Sequence, residues 1–257
     1  MQSVVVAYSG GVDSTFLLKI SKDVLQDKVL AVIAKSETYP GREIKQAIST
    51  AKKLKAPFLV IETEELKNKN FINNSRDRCY WCKKELFLKI SKIAKRKKIS
   101  FVVDGSNYDD LLDFRPGSKA AQELGIRRPL VEAKLGKNEI RQISKQLRLS
   151  TWNKPSFACL ASRFIYGSRI EKPTLLKVNA AEEYVMKLGI KQVRVRHLGQ
   201  IAKIEVLQPD MSKVINNRRK IIKYFKDLDY QFVTLDIEGY ETGSMNRLLE
   251  PVKKVQG

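Results

Sequence analysis

The chain has 257 residues, enough for one large domain or two smaller ones with real cores. A hydrophobic content of 43% excludes wholesale disorder, and no apolar run approaches the roughly 20 residues of a membrane span. The net charge of +21, from 49 Lys and Arg against 28 Asp and Glu, suits polyanions or phosphorylated small molecules, and equally a lysine-rich solvated surface of the kind thermophile proteins carry.

The chain enters an apolar run at once, with no signal-peptide pattern, so a cytoplasmic protein is expected. Val4-Val5-Val6-Ala7 reads as a buried parallel strand. After Tyr8-Ser9-Gly10-Gly11-Val12-Asp13-Ser14 comes a helical pattern in which Leu17, Ile20 and Val24 share one face with Leu18 and Leu25. The loop therefore lies where an open α/β sheet binds its ligand, after a strand and before a helix. Gly10 and Gly11 let the backbone approach an anion, Ser9 and Ser14 add hydroxyls, and the helix start adds free N–H groups. A Gly-Gly turn alone is also a common tight connection. The full Ser-Gly-Gly-Val-Asp-Ser string resembles the pyrophosphate loop of the N-type ATP pyrophosphatase (PP-loop) superfamily, whose members cleave ATP to AMP and pyrophosphate to activate a substrate by adenylation. It is not a Walker loop, because no Gly-Lys-Ser/Thr follows.

A second strand is expected over Val29 to Ala34, a helix from Arg42 to Leu54 and a third strand over Phe58 to Ile61, the alternation of a parallel sheet. In the superfamily, residues just after the second strand contact adenine, which makes Ser36 a candidate; a loop serine is also a common turn former. A polar stretch from Leu66 to Arg78 delivers Cys79-Tyr80-Trp81-Cys82. The next helix is expected from Lys83 to Lys95, with Leu86, Phe87, Ile90 and Ile93 inward, and it ends in the one dense basic run, Lys95 to Lys98. A strand over Phe101 to Val103 then ends in Asp104-Gly105-Ser106-Asn107-Tyr108-Asp109-Asp110, which resembles a string of the superfamily's synthetases. Carboxylates at a strand end beside a phosphate loop suit Mg²⁺, with Asp104 and Asn107 foremost; such a loop can also merely cap a helix.

Arg115-Pro116-Gly117 reads as a turn and 118–124 as a helix, and a later helix from Lys137 turns Ile140, Ile143 and Leu147 inward. Pro155 keeps Lys154 out of the α region, so Cys159 follows a loop. Beyond Gly167 the composition changes. A helix over Thr174 to Leu188, an antiparallel pair over Lys191 to His197 and Ile201 to Leu207, a helix over 209–226 with Val214, Ile221, Ile222 and Phe225 apolar, and a strand over Tyr230 to Asp236 read as a small α+β domain. The tail from Gly239 reads as a polar arm.

Three cysteines, an odd count, point away from a disulfide framework and toward metal or sulfur chemistry in a reducing compartment. Cys79 and Cys82 have knuckle spacing and Cys159 is the third thiol. A closed zinc site needs a fourth ligand, for which His197 is available, although it reads as an ordinary surface histidine. Three thiolates also fit a four-iron four-sulfur cluster with one iron left open, which can carry an extra sulfide. A redox pair or inert buried thiols are the plainer readings.

The phosphate loop, Cys79-Tyr80-Trp81-Cys82, the Asp104–Asp110 string and Lys154-Pro155-Ser156-Phe157-Ala158-Cys159-Leu160-Ala161-Ser162-Arg163 together resemble the LarE family of ATP-dependent sulfur transferases. That resemblance implies an α/β protein, with a parallel five-stranded PP-loop (adenine nucleotide alpha hydrolase-like) domain at 1–167 and the small α+β domain at 168–257. It implies adenylation of a carboxylate of pyridinium-3,5-biscarboxylic acid mononucleotide, for the nickel-pincer nucleotide cofactor. ATP and Mg²⁺ would be held by Ser9, Gly10, Gly11, Asp13, Ser14, Ser36, Asp104, Gly105 and Asn107. A [4Fe-4S] cluster with one iron not bound by protein would sit on Cys79, Cys82 and Cys159, and Cys159, Cys79, Cys82 and Asp13 would be the catalytic set. Trp81 would stack on the pyridinium, unless it only packs, and Ser162, Arg163, Arg194 and Arg196 would contact substrate. The family also implies a homohexamer.

A tRNA thiolation enzyme of the same superfamily is the main rival, favoured by the +21 charge and opposed by the absence of an RNA-binding fingerprint. A non-catalytic zinc and RNA-binding protein leaves the phosphate loop unexplained, and an amidating synthetase such as NAD synthetase leaves the cysteines unexplained.

Overall fold

A computed structural model of the chain describes residues 1–112, 116–155 and 158–249. Arg115 of the expected turn, Ser156 and Phe157 of the loop before Cys159, and the end of the expected polar arm lie outside the described residues. The chain divides into two compact units, Met1–Ile72 with Arg76–Phe157, and Asn73–Ser75 with Ala158–Gly257.

The first unit runs β1 (Val4–Ala7), α1 (Val12–Leu25), β2 (Val29–Lys35), α2 (Gly41–Lys53), β3 (Phe58–Glu62), α3 (Lys69–Ile72), α4 (Arg78–Arg96), β4 (Phe101–Asp104), α5 (Pro116–Glu123), α6 (Pro129–Glu132) and α7 (Lys137–Gln146). Its strands form a parallel sheet of order β3-β2-β1-β4. β1 is short, but every residue in it is apolar and buried, as a central parallel strand requires. The two-residue period splits it between two cores. Val4 and Val6 face Phe16, Leu17 and Leu18 of α1 and Ile140 of α7. Val5 and Ala7 face Leu86, Phe87 and Ile90 of α4 and Ala120 and Ala121 of α5. Each such buried Leu, Ile or Phe contributes about 1.5–3 kcal/mol by leaving water.

The parallel sheet has four strands among the described residues, where five were expected. The fifth is reduced to a single parallel bridge between Val103 and Arg127. Pro129 follows two residues later at the start of α6, lacks an N–H for a ladder, and turns the chain into a helix. On α1, Leu17 and Leu18 are buried as expected, but Ile20 is exposed and Val24 is 73% exposed. The covered stripe runs through Leu17 and Leu18 to Leu25 at the helix end, and Ile20 and Val24 lie to its side. α4 begins at Arg78 instead of Lys83. Tyr80 continues the Phe87 stripe one register earlier and packs into the same core, and no Gly or Pro stands between to stop the helix.

The second unit contains α8 (Lys172–Lys187), β5 (Val193–Leu198), β6 (Ile201–Val206), α9 (Met211–Asn216), α10 (Arg218–Asp227) and β7 (Phe232–Leu235). β5 and β6 form the expected antiparallel hairpin, closed by Gly199 at φ +68° and Gln200, and β7 lies parallel to β6. Val185, Val193, Val195, Ile204, Ile221, Phe225 and Tyr230 fill the core of this α+β unit. The single helix expected over 209–226 is two helices, because Asn217 leaves helical geometry and its side-chain amide donates back to the Lys213 carbonyl at 2.9 Å. Of the apolar residues of that stretch, Val214, Ile221 and Phe225 are buried and Ile222 is exposed.

Candidate active site

In the register of the sheet Ala7 pairs with Asp104, so the loops after β1 and β4 leave the same edge side by side. Gly10 has φ +72°, and a Cβ placed on it would lie 2.7 Å from the Ala47 Cβ. Gly105 packs so tightly that a Cβ there would come within 2.9 Å of the Ser14 Cα. Both glycines are therefore demanded by close approach, and Gly10 by its left-handed backbone as well. Gly11 caps α1 in extended geometry with no side-chain cap, so the first N–H groups of the helix keep their capacity to bind an anion. The Ser9 and Ser14 hydroxyls lie 3.1 Å apart over this turn.

Acidic groups gather beside it. The Asn107 amide donates to Asp13 Oδ2 at 3.3 Å, while Asp13 Oδ1 is buried with no hydrogen-bond partner among the described residues. Burial raises the Asp13 carboxyl above the usual carboxylate range; Asn107 offsets part of this and the nearby Asp110 adds to it. A buried, partnerless carboxylate oxygen on the first turn of the helix that the glycine turn opens fits an oxygen-seeking divalent cation such as Mg²⁺. Burial opposes ionisation of Asp104 too, but Lys83 Nζ at 2.9 Å and two donors from Ser106 outweigh it and hold that carboxyl below its ordinary range. Ser36 stands just after β2, where its hydroxyl is shared with Thr38 at 2.8 Å.

Sequence reading missed Lys154 and Glu43. Lys154 Nζ donates to the Gly10 carbonyl at 3.1 Å and pairs with Glu43 Oε2 at 2.7 Å. Arg141 in turn donates to the carbonyls of Trp152 and Lys154. This cation fixes the carbonyl side of the glycine turn and leaves the N–H side for a ligand. No spacing pattern announces a contact across 144 residues. Lys154→Met is expected to cost about 1–3 kcal/mol by taking the nearer cation from the half-buried Glu43, which among the described residues keeps only Arg42 Nε at 3.8 Å, and Glu43→Gln in the same chain is expected to recover part of it. Urea unfolding of both variants checks this.

Cys79 and Cys82 occupy the first turns of α4 at i and i+3, which puts both thiols on one side of the helix. Cys79 is exposed, and the Cys82 thiol donates to Glu65 at 3.7 Å, a buried carboxyl that also receives the Thr63 hydroxyl. All three cysteines are free thiols, a donor set suited to soft metals and sulfur. Among the described residues, no three His, Cys, Asp or Glu gather closely enough to hold a metal ion. Trp81 is half-buried and meets Tyr80 edge-on, with Lys84 over its ring.

Cys159 belongs to the second unit, just before a 3₁₀ turn over Leu160–Arg163. Arg163, expected as a substrate contact, has no exposed surface and pairs in two places with the equally buried Glu182. Arg196 is likewise paired with buried Glu205 and donates to the Ser162 carbonyl. Arg194 lies over the Tyr240 ring; burial first, and Arg163 next, lower its guanidinium to about 10. A signal for Glu182 existed in the sequence: it stands inside the apolar stripe Val178, Ala181, Val185, where a charge needs a buried partner. His197 is half-buried, not a surface residue; it contacts the Tyr230 hydroxyl, and burial and Lys177 keep it below the usual histidine range.

Gly-rich turn, strand-end carboxylates and parallel sheet together define a phosphate-loop α/β protein, and residues 1–86 match the NAD synthase family model. Over 251 residues, 97% of this chain and 94% of the relative, it is 39% identical to an uncharacterized protein of Synechocystis. It is 36% identical over 250 residues, 97% of this chain and 91% of the relative, to the pyridinium-3,5-bisthiocarboxylic acid mononucleotide synthase of Lactiplantibacillus plantarum. An uncharacterized protein of Methanocaldococcus jannaschii is 33% identical over 241 residues, 94% and 92% of the two chains. The chain belongs to the LarE family of pyridinium-3,5-bisthiocarboxylic acid mononucleotide synthases.

Proposed function

We propose that this chain is an ATP-dependent sulfur transferase that adenylates a carboxylate of pyridinium-3,5-biscarboxylic acid mononucleotide and replaces its oxygen with sulfur, in nickel-pincer nucleotide cofactor biosynthesis. The observation that carries this reading is the 36% identity to a synthase of the thiolated product over 97% of the chain. The phosphate loop and the three thiols support it from the residues themselves.

In this mechanism a carboxylate oxygen of the substrate attacks the α-phosphorus of ATP, and pyrophosphate leaves. Ser9, Gly10, Gly11 and Ser14 receive the phosphates through N–H and hydroxyl donors, which act on charge as it develops. Asp13, with its partnerless buried oxygen, and Asp104 and Asn107 are the residues that would hold Mg²⁺, which neutralises the leaving group. Ser36 lines the adenine side, and Gly105 lets the loop after β4 close on α1. Sulfur then forms a bond to the activated acyl carbon, and AMP departs with the original oxygen. Cys79, Cys82 and Cys159 would hold a [4Fe-4S] cluster, which when bound supplies the sulfur. Trp81 is assigned to the pyridinium ring, and Ser162 and Arg194 to the substrate's phosphate end; Arg196, buried and committed to Glu205 and the Ser162 carbonyl, is withdrawn as a substrate contact. The reading also carries a cytoplasmic homohexamer, which light scattering on the purified chain tests.

The test combines iron and acid-labile sulfide analysis of protein purified without oxygen with product analysis after incubation with ATP, Mg²⁺ and the biscarboxylic acid mononucleotide. AMP, pyrophosphate and a thiolated acceptor are expected. A tRNA-dependent pyrophosphate release with no reaction on the mononucleotide would transfer the assignment to tRNA thiolation.

A further inference from the structure

Cys159 is followed by a tight 3₁₀ turn whose last residue, Arg163, is the largest fully buried side chain among the described residues. Its guanidinium divides its donors between two tasks. Nε and Nη2 grip the two oxygens of Glu182 at 2.8 and 3.0 Å. Nη1 reaches back to the carbonyls of Ala158 and Cys159 at 2.7 and 3.1 Å, and to the Ser162 hydroxyl at 2.9 Å. Glu182 also accepts the Val195 N–H at 3.0 Å, which ties α8 to β5. The Cys159 carbonyl receives a second donor, the Ser162 N–H, at 3.0 Å.

A buried ion pair of this kind is weak as a stabilising device, because desolvation cancels most of the attraction. Its distinctive product here is geometry. The planar fork fixes the peptide on each side of the Cys159 Cα, and only an arginine can hold a carboxylate with one edge and two carbonyls with another. We infer that Arg163 is a positioning residue for Cys159: through the Glu182 clamp it sets the backbone from which the thiol projects, without touching substrate. The inference rests on the proposed role of Cys159 in sulfur handling, and it replaces the expectation that Arg163 contacts substrate.

Arg163→Lys tests it in the full chain. Lysine keeps a cation for Glu182 but cannot also serve the carbonyls of residues 158 and 159. Sulfur transfer is expected to fall about 10- to 100-fold, the effect of displacing a reacting group by about 1 Å. Substrate-dependent pyrophosphate release is expected to stay within about twofold of wild type, because Glu182, Ala158, Cys159 and Ser162, the partners that the inference uses, belong to the second unit and the phosphate loop to the first. A purely structural role would lower both together. Sulfur transfer at the wild-type level, or an equal fall in both half-reactions, overturns the inference. Where Arg163→Lys does not fold, the same ratio is read on Glu182→Gln, which keeps the side chain's shape and weakens the clamp. A separate measurement needs neither ATP nor acceptor. The iodoacetamide alkylation rate of Cys159 relative to Cys79 in the same molecules should change several-fold in the variant. An unchanged ratio in a folded variant defeats the positioning role, whereas a wild-type chain with no sulfur transfer defeats the functional reading alone.

Discussion

Cys159→Ala is expected to leave substrate-dependent pyrophosphate release near the wild-type rate while reducing sulfur transfer by at least about 10³-fold, the scale seen when an enzyme loses a group that bonds in the reaction. The two half-reactions draw on different residues. ATP cleavage needs the turn at Gly10 and Gly11, Asp13 and the loop after β4, all within the first unit, whereas Cys159 belongs to the second. The companion variants Cys79→Ala and Cys82→Ala separate two sulfur sources. If the three thiols act together on a cluster, each of the two losses matches that of Cys159. If Cys159 alone gives up its sulfur, Cys79→Ala and Cys82→Ala keep most of the activity, and a mass decrease at Cys159 appears after a single turnover. Equal loss of pyrophosphate release in Cys159→Ala would contradict the division of labour itself.

Gly10→Ala is the second large effect. At φ +72° a side chain costs about 1–2 kcal/mol, and the new Cβ, 2.7 Å from the Ala47 Cβ, adds about 1–3 kcal/mol of overpacking. The sum, roughly 2–5 kcal/mol, is a large share of a domain's stability. Relief comes by moving α2 or by opening the turn, and opening the turn breaks the Lys154 contact to the Gly10 carbonyl. ATP affinity is therefore expected to fall at least about tenfold, with a lower urea midpoint. Ala47→Gly in the same chain removes the atom nearest the clash and should restore part of the stability but not the backbone strain. A Gly10→Ala variant with the wild-type midpoint and wild-type ATP affinity would show that the close approach to Ala47 is not real.

What the sequence announced, and what it hid, follows from the range of each interaction. An apolar run of four, a Gly-Gly-x-Asp-Ser turn and a helical stripe are local signals, and β1, the phosphate turn and the start of α1 stand where those signals put them. Periodicity says which residues share a face but not how wide a stripe of that face the sheet covers: Leu17, Leu18 and Leu25 lie inside it and Ile20 and Val24 outside. The start of α4 was set too late because polar residues before Cys79 resemble a loop, although Tyr80 already belongs to the Phe87 stripe. The site residues near the turn were legible because they sit in compact strings at strand ends. Lys154, Glu43 and the pairing of Arg163 with Glu182 were not, because their partners lie far along the chain and only the fold brings them together. Arg196 shows the limit of reading a strand by alternation: it occupies a buried position because Glu205, diagonal to it on β6 next to its register partner Lys203, supplies the counter-charge.

The central claim is that this chain spends ATP to place sulfur on a pyridinium carboxylate. The most direct measurement is mass analysis of the acceptor after anaerobic incubation of the purified protein with ATP, Mg²⁺ and pyridinium-3,5-biscarboxylic acid mononucleotide. The account predicts a product with one carboxylate oxygen replaced by sulfur, formed together with AMP and pyrophosphate and absent when ATP is withheld. An acceptor that remains unchanged while wild-type protein cleaves ATP, or a thiolated product formed without ATP, would contradict it.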